Sequence, residues 1–174
     1  MFLTGIQNHF SNFILLFMIE SASISDIKKE LPLLDKKQLV ELCLQLVKYK
    51  KDNKEYLSYL LFHAHDSSAA VVLVKEEIDI LFSQINHVNL YVVKKSLRKI
   101  LRFTNKHIKY IASKEHEIEL LIYFCKKIKE FGIPIQKSTV LQNLYNAQVK
   151  KINTVVSKLH EDLQYDYAHE LEKL

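Results

Sequence analysis

Apolar residues recur along this chain at every third or fourth position, a spacing that divides it into seven amphipathic helical segments. A short first segment opens at Ser23 or Ser25, runs to Lys29 and is stopped by Pro32. Asp35 caps the second, and Gln38 three residues later completes a capping box. The stripe of this segment is Leu39, Leu42, Cys43, Leu46 and Val47, and it ends in the polar run Lys50 to Lys54. A third helix, from about Lys54 to Ala64, is expected to bury Leu57, Leu60 and Leu61 and to show Tyr56 and Tyr59 at its edges. Ser67 or Ser68 caps a fourth that runs to about His87. Its opening, Ala69 to Val74, is apolar all round, which predicts a deeply buried end.

The fifth segment is entered at Asn89 as N-cap and is expected to continue to Lys114. Glu115, Glu117 and Glu119 then occupy the first turns of the sixth, where negative charge suits the helix dipole. Ile118 to Ile128 is so apolar that the sixth helix should lie at the centre of the fold. Gly132 is a suitable left-handed cap, and Pro134 confirms the stop. Ser138 caps a final stretch through Leu144, Val149, Ile152, Val156 and Leu159, broken before an acidic end at residues 160–174.

Composition supports helices and little else. Two Gly and two Pro in 174 residues leave almost no material for β-turns or phosphate-cradling loops. The fold class is therefore all-α, with about seven antiparallel helices. Short connections make helical hairpins of the second with the third, the fourth with the fifth and the sixth with the seventh. Stacked, these would form a short α-α superhelix of the armadillo or HEAT kind, although no sequence signature repeats; a compact irregular bundle is the alternative. Residues 18–174 are expected to form one domain. Residues 1–17 carry no Lys, Arg, Asp or Glu, and Phe13 to Ile19 is an apolar run. They lack the positive start of a signal peptide and the length of a membrane span, so they read as a loose extension or as a start misassigned upstream of Met18. Cys43 and Cys125 fall inside apolar helical patterns as small hydrophobes, which fits a reduced, cytoplasmic protein.

Charge changes this picture. From Asn89 to Lys114 there are eight basic side chains and no acid. At about 100° per residue, Lys94, Lys95, Arg98, Lys99, Arg102, Lys106 and Lys109 fall within one arc of about 140°. The opposite arc holds Leu90, Val93, Leu97, Ile100, Leu101, Thr104, Ile108 and Ile111. Tyr91 projects on the cationic arc, while Phe103 and Tyr110 lie on its shoulder, and Phe103, Val92 and Tyr110 together offer a second apolar flank. The whole chain is +5, but its last segment sets five acids against Lys173, so the remainder is more cationic than the total. The strip could be a solvated face, could be covered by that acidic end or by Glu115 and Glu119, or could meet an outside partner.

Other constellations carry less. His63-Ala64-His65-Asp66 resembles a ligand run, but positions two apart on a helix point about 200° apart and cannot share one ion. Asp66 is better read as a local cap. Glu76, Glu77 and Asp79 include an E-x-x-D, yet residues 80–114 hold no acid to supply a facing pair, so a carboxylate-bridged magnesium site is not expected. No Ser, Cys or Lys has an adjacent base, and no metal or cofactor is implied. The runs LLFHAHD, KEEIDILFSQIN, KKSLRKILRFTNKHIKY and ELLIYFCKK, between Leu60 and Lys127, resemble those of small uncharacterised all-helical bacterial proteins. That resemblance implies no activity. The expectation is a non-enzymatic binding or scaffolding module that engages an acidic protein through Tyr91, Lys95, Arg98, Lys99, Arg102, Lys106, Lys109 and Tyr110. The alternative is nonspecific nucleic-acid binding by the same face, with Tyr91 and Tyr110 stacking on bases.

Overall fold

The computed structural model describes residues 21–86 and 89–174. The expectations for residues 1–17, and for His87 as a helix end, lie outside them. Among the described residues there are eight α-helices and no strand. The described residues fall in two compact units, divided between Lys51 and Asp52.

In the first unit α1 spans Ile24–Glu30, a 3-10 turn carries Pro32, and α2 spans Lys36–Tyr49. The local chemistry is as the sequence dictates. Ser23 accepts from the Asp26 amide. Asp35 and Gln38 form the full capping box, at 2.8 Å and 2.9 Å. The expected apolar stripe of α2 is a different matter, because no residue of that helix is buried and Leu42, Cys43 and Leu46 are exposed.

The second unit contains α3 (Lys51–Phe62, its first residue belonging to the other unit), α4 (Ser67–Ser83), α5 (Leu90–Ile111), α6 (Lys114–Glu130), α7 (Thr139–Val156) and α8 (Glu161–Leu171). Helices α4, α5 and α6 pack on one another pairwise, α7 lies along α6, and α8 packs on α7. Those contacts are common to a stacked superhelix and a compact bundle, so all-α is the level at which the architecture is fixed. Helix α6 is the centre, as its composition requires: Ile118, Leu120, Leu121, Ile122, Phe124, Cys125 and Ile128 are all buried. At about 1.5–3 kcal/mol for each large apolar side chain removed from water, this helix supplies much of the core. Burial pushes the Cys125 thiol up to about 12, so it is an inert packing group.

Helix α6 ends in a Schellman motif. Gly132 takes φ 61°, its amide donates to Lys129, and the Ile133 amide reaches back to Ile128. Helix α5 ends less conventionally, at Ala112 with φ 55°. That left-handed residue stops α5 short of the expected end, and Lys114 begins α6 instead of closing the basic helix.

Two helices present a different face from the one expected. In α3, Tyr59 is buried while Leu60 and Leu61 are 46% and 64% exposed. Tyr59 turns inward because α5 offers it an aromatic partner, Tyr110, with ring centroids 6.2 Å apart; Tyr56 stacks on the same ring at 5.0 Å but stays exposed at the helix edge, as expected. In α4 the opening turn is not buried all round. Ala70, Val71 and Val74 face α5 and α6, whereas Val72 and Leu73 stay about half exposed.

Candidate functional site: the cationic strip of α5

Helix α5 is built by a local cap and a strong stripe. Asn89 accepts from the Tyr91 amide at 2.7 Å, satisfying one free donor of the first turn. Val93, Leu97, Ile100, Thr104 and Ile108 are buried, as the stripe predicts, with Leu101 and Ile111 packed at the margin and Leu90 left partly exposed. The hydroxyl of buried Thr104 donates to Ile100 in the preceding turn at 3.0 Å, so the core holds no orphaned polar group there. Anchoring this stripe turns the opposite arc outward. Lys95, Arg98, Lys99, Arg102 and Lys109 are exposed, and Lys94 is partly so.

Among the described residues Lys106 is the one cation of the strip with an acidic partner, Glu55 of α3. The acidic end of the chain does not cover the strip. It forms α8, whose Glu170 pairs with Lys126 of α6 at 2.9 Å, while Lys129 of α6 donates to the Lys173 carbonyl. Tyr167, Leu171 and Leu174 fasten the same segment to the core, and Tyr145 donates to the Leu174 carbonyl at 2.6 Å. Glu119 is likewise engaged elsewhere, by Lys75 of α4 at 2.6 Å. The compensation expected from the acidic end or from Glu119 is therefore not found on the strip; Lys106 is answered by a different acid, Glu55.

The aromatic residues divide. Tyr91 is 65% exposed, with the Lys94 ammonium 5.2 Å from its ring centroid. Tyr110 is not available as a stacking platform. It is sandwiched against Tyr56 and Tyr59, touches His107 edge-on at 5.5 Å, and donates its hydroxyl to the Asp52 carbonyl at 3.2 Å. Burial raises its phenol, with Lys106 opposing and Glu55 and Asp52 adding. His107 sits in the same cluster, 4.4 Å from Phe103. Burial and then the Lys106 charge lower its pKa to about 4, with Glu55 opposing. The second apolar flank foreseen on α5 is thus real from Phe103 to Tyr110, whereas Val92 remains exposed.

Two shallow depressions run along the open side of α5. One, of about 450 Å³, is lined by Tyr91, Lys94, Lys95, Arg98, Leu101, Arg102 and Asn105. The other, of about 640 Å³, continues from Asn105 through Ile108, Lys109 and Ala112 to Lys151 of α7. Lys151 donates to Asn105 at 3.2 Å and pairs with Glu117 at 2.7 Å, so it joins the wall of this groove. No local signal places a residue of α7 beside α5, and sequence reading missed Lys151 for that reason; Asn105, on α5 itself, is uncharged and stands out only once Lys151 is seen to donate to it.

A second constellation was equally hidden. The Ser67 hydroxyl, at the start of α4, lies 3.1 Å from His116 Nε2, and His116 Nδ1 lies 3.3 Å from Glu119. The order is hydroxyl, imidazole, carboxylate. The last contact is long, however, and the carboxylate is held by Lys75. Burial pushes Glu119 up, but the hydrogen bonds from Lys75 and His116 outweigh it and leave the acid lowered. The chain of contacts clamps the starts of α4 and α6 together. Beside Ser67, the cap of α4 is Asp66 and not Ser67 or Ser68: its carboxylate accepts from the Ala69 amide at 2.9 Å, and its neighbours His63 and His65 are exposed.

No protein-family model, curated protein or solved structure matches the chain. Among the described residues no helix is long and apolar enough to cross a membrane.

Proposed function

We propose that this protein is a binding or scaffolding module whose α5 strip, Lys94 to Lys109, engages an acidic protein segment. The observation that carries this is the unanswered charge: Lys94, Lys95, Arg98, Lys99, Arg102 and Lys109 have no acidic partner among the described residues. Six cations on one rigid face raise the local potential and attract an acidic surface. A protein segment fits better than a nucleic acid because the groove has an apolar floor at Leu101 and Ile108, and because Tyr110 is already stacked within the fold. Phosphodiesters gain nothing from such a floor, whereas an amphipathic acidic helix gains on both counts.

The test is fluorescence anisotropy with two probes: an acidic amphipathic peptide and a single-stranded oligonucleotide. The peptide is expected to bind in about 50 mM salt and to weaken in about 200 mM. Arg98→Glu with Arg102→Glu is expected to lower its affinity at least about tenfold without changing the helical circular dichroism. Tighter binding of the oligonucleotide, with the steep salt dependence of phosphate contacts, would transfer the strip to nucleic acid.

A further inference from the structure

Helix α4 carries the counterpart of the strip. Its outward face is formed by Ala69, Val72, Leu73, Glu76, Glu77 and Ile80, all exposed. Val72, Leu73 and Ile80 remain 53%, 51% and 50% exposed, three aliphatic side chains on one face of the helix. Glu76 and Glu77 have no ion pair among the described residues, although the charged residues on either side of them do: Lys75 is tied to Glu119 and Asp79 to Lys127. The helix therefore sorts its charges. Lys75 and Asp79 are spent on α6, and two acids with three aliphatics are left facing out.

The outward faces of α4 and α5 are complementary in both respects. One offers carboxylates beside Leu73 and Ile80, and the other offers Arg98 and Arg102 beside Leu101. Within one molecule they do not meet, because α4 and α5 pack through Val71, Val74, Ile78, Val93 and Leu97, on the opposite sides of both helices. We infer that the occupant of the α5 strip is a second copy of this chain, docked through Glu76, Glu77, Leu73 and Ile80 of its α4. This rests on the reading of the strip as a protein-binding face and names its partner. Arg98 and Arg102 are one turn apart, about 6 Å along the axis, so a carboxylate pair in one turn of the facing helix can reach both. The contact joins two different surfaces, one from each copy, so association is head-to-tail and each bound copy still presents its other face.

Sedimentation velocity on the full chain tests the pairing. In about 50 mM salt the mass is expected to rise with concentration up to about 100 µM, and about 500 mM salt should return it toward monomer. Arg98→Glu with Arg102→Glu should weaken association at least about tenfold, and Glu76→Lys with Glu77→Lys should do the same. An equimolar mixture of the two reversed proteins should associate again, because each then presents the charge the other has lost. That recovery also rules out misfolding as the cause of the losses. A wild-type protein that stays monomeric at about 100 µM in low salt overturns the inference. So does association that neither salt nor either reversal weakens, which would be apolar contact at some other place. If the monomer still binds the acidic peptide through Arg98 and Arg102, the self-pairing falls while the strip's function stands; if it binds neither, both fall.

Discussion

Helices α5 and α6 are both rich in lysine, and the molecule treats them oppositely. On α6, Lys126 meets Glu170, Lys127 meets Asp79 and Glu130, and Lys129 meets the Lys173 carbonyl. On α5, Lys106 meets Glu55 and the remaining strip cations meet no acid among the described residues. Helix α6 is central, so its cations emerge between α4 and α8 and are within reach of acids on both. Along the outer arc of α5, Glu55 of α3 answers Lys106, and the neighbour at Asn105 is a further cation, Lys151 of α7. Charge that is answered inside a fold is structural. Charge left unanswered on a rigid edge is available for recognition, and only packing distinguishes the two.

Removing the answer to an α6 cation should produce the largest effect on stability. Asp79 takes a hydrogen bond from Tyr123 at 2.7 Å and holds Lys127 at 2.9 Å, through an oxygen that is itself buried. The Tyr123 ring lies between the ammonium groups of Lys75 and Lys127, at 5.3 and 5.2 Å, and so depends on the same network. Asp79→Ala is expected to cost about 2 kcal/mol, since it removes the charged acceptor of the part-buried Tyr123 hydroxyl together with an ion pair, while Lys127 keeps Glu130 at 3.3 Å. Arg98→Ala, on the open strip, should stay within about 0.5 kcal/mol of wild type. Urea melts of the two variants measure the contrast. Equal losses would mean that the strip is structurally engaged after all.

The helices, their caps and the two-faced character of α5 could be read from the chain because all are local. Asp35 with Gln38, Asn89, and Gly132 with Pro134 act over a few residues, and a 3.6-residue period needs no knowledge of neighbours. The choice of face was not legible where a helix offers two. In α3 either the leucines or Tyr59 could turn inward, and Tyr110, about fifty positions later, decides for Tyr59. In α4 a uniformly apolar turn gives no clue that Val72 and Leu73 will stay outside. The destination of the acidic end was hidden for the same reason. Electrostatics alone points to the densest cationic helix, but Tyr167, Leu171 and Leu174 fasten that segment to the core, where Lys126 and Lys129 are the cations within reach.

The ion pair on α5 has a pH signature. Lys106 and Glu55 border His107, whose pKa is lowered from 6.5 to about 4 by burial and by Lys106. A histidine depressed on folding contributes stability above its unfolded value of 6.5, and that contribution is lost as pH falls toward 4, because only the unfolded chain takes up the proton in that window. The ring is partly open to solvent, so the loss is expected to be about 1 kcal/mol after screening. Melts at pH values across this window, compared with His107→Phe, isolate it, since other titrating groups are common to both proteins. A pH slope unchanged in the variant would show that His107 is as accessible as the strip beside it.

The smallest effect concerns how the two helices end. Each is closed by a residue in the left-handed region, α6 by Gly132 at φ 61° and α5 by Ala112 at φ 55°. A side chain at such a backbone costs about 1 kcal/mol relative to glycine, offset in part by the greater freedom that glycine brings to the unfolded chain. A Cβ added at Gly132 would meet nothing within 4 Å, so Gly132→Ala measures the backbone strain alone. It should lower stability by about 1 kcal/mol, or roughly 2–4 °C in Tm for a chain of this size. Ala112→Gly should move the other way by about 0.5 kcal/mol, because it relieves strain that the native α5 carries. Ala112 also borders the groove beside Lys109 and Lys151. If Ala112→Gly stabilises the fold while weakening acidic-peptide binding, the strained end of α5 serves to hold the strip in place; if binding is unchanged, the strip is positioned by the buried stripe from Val93 to Ile108 alone.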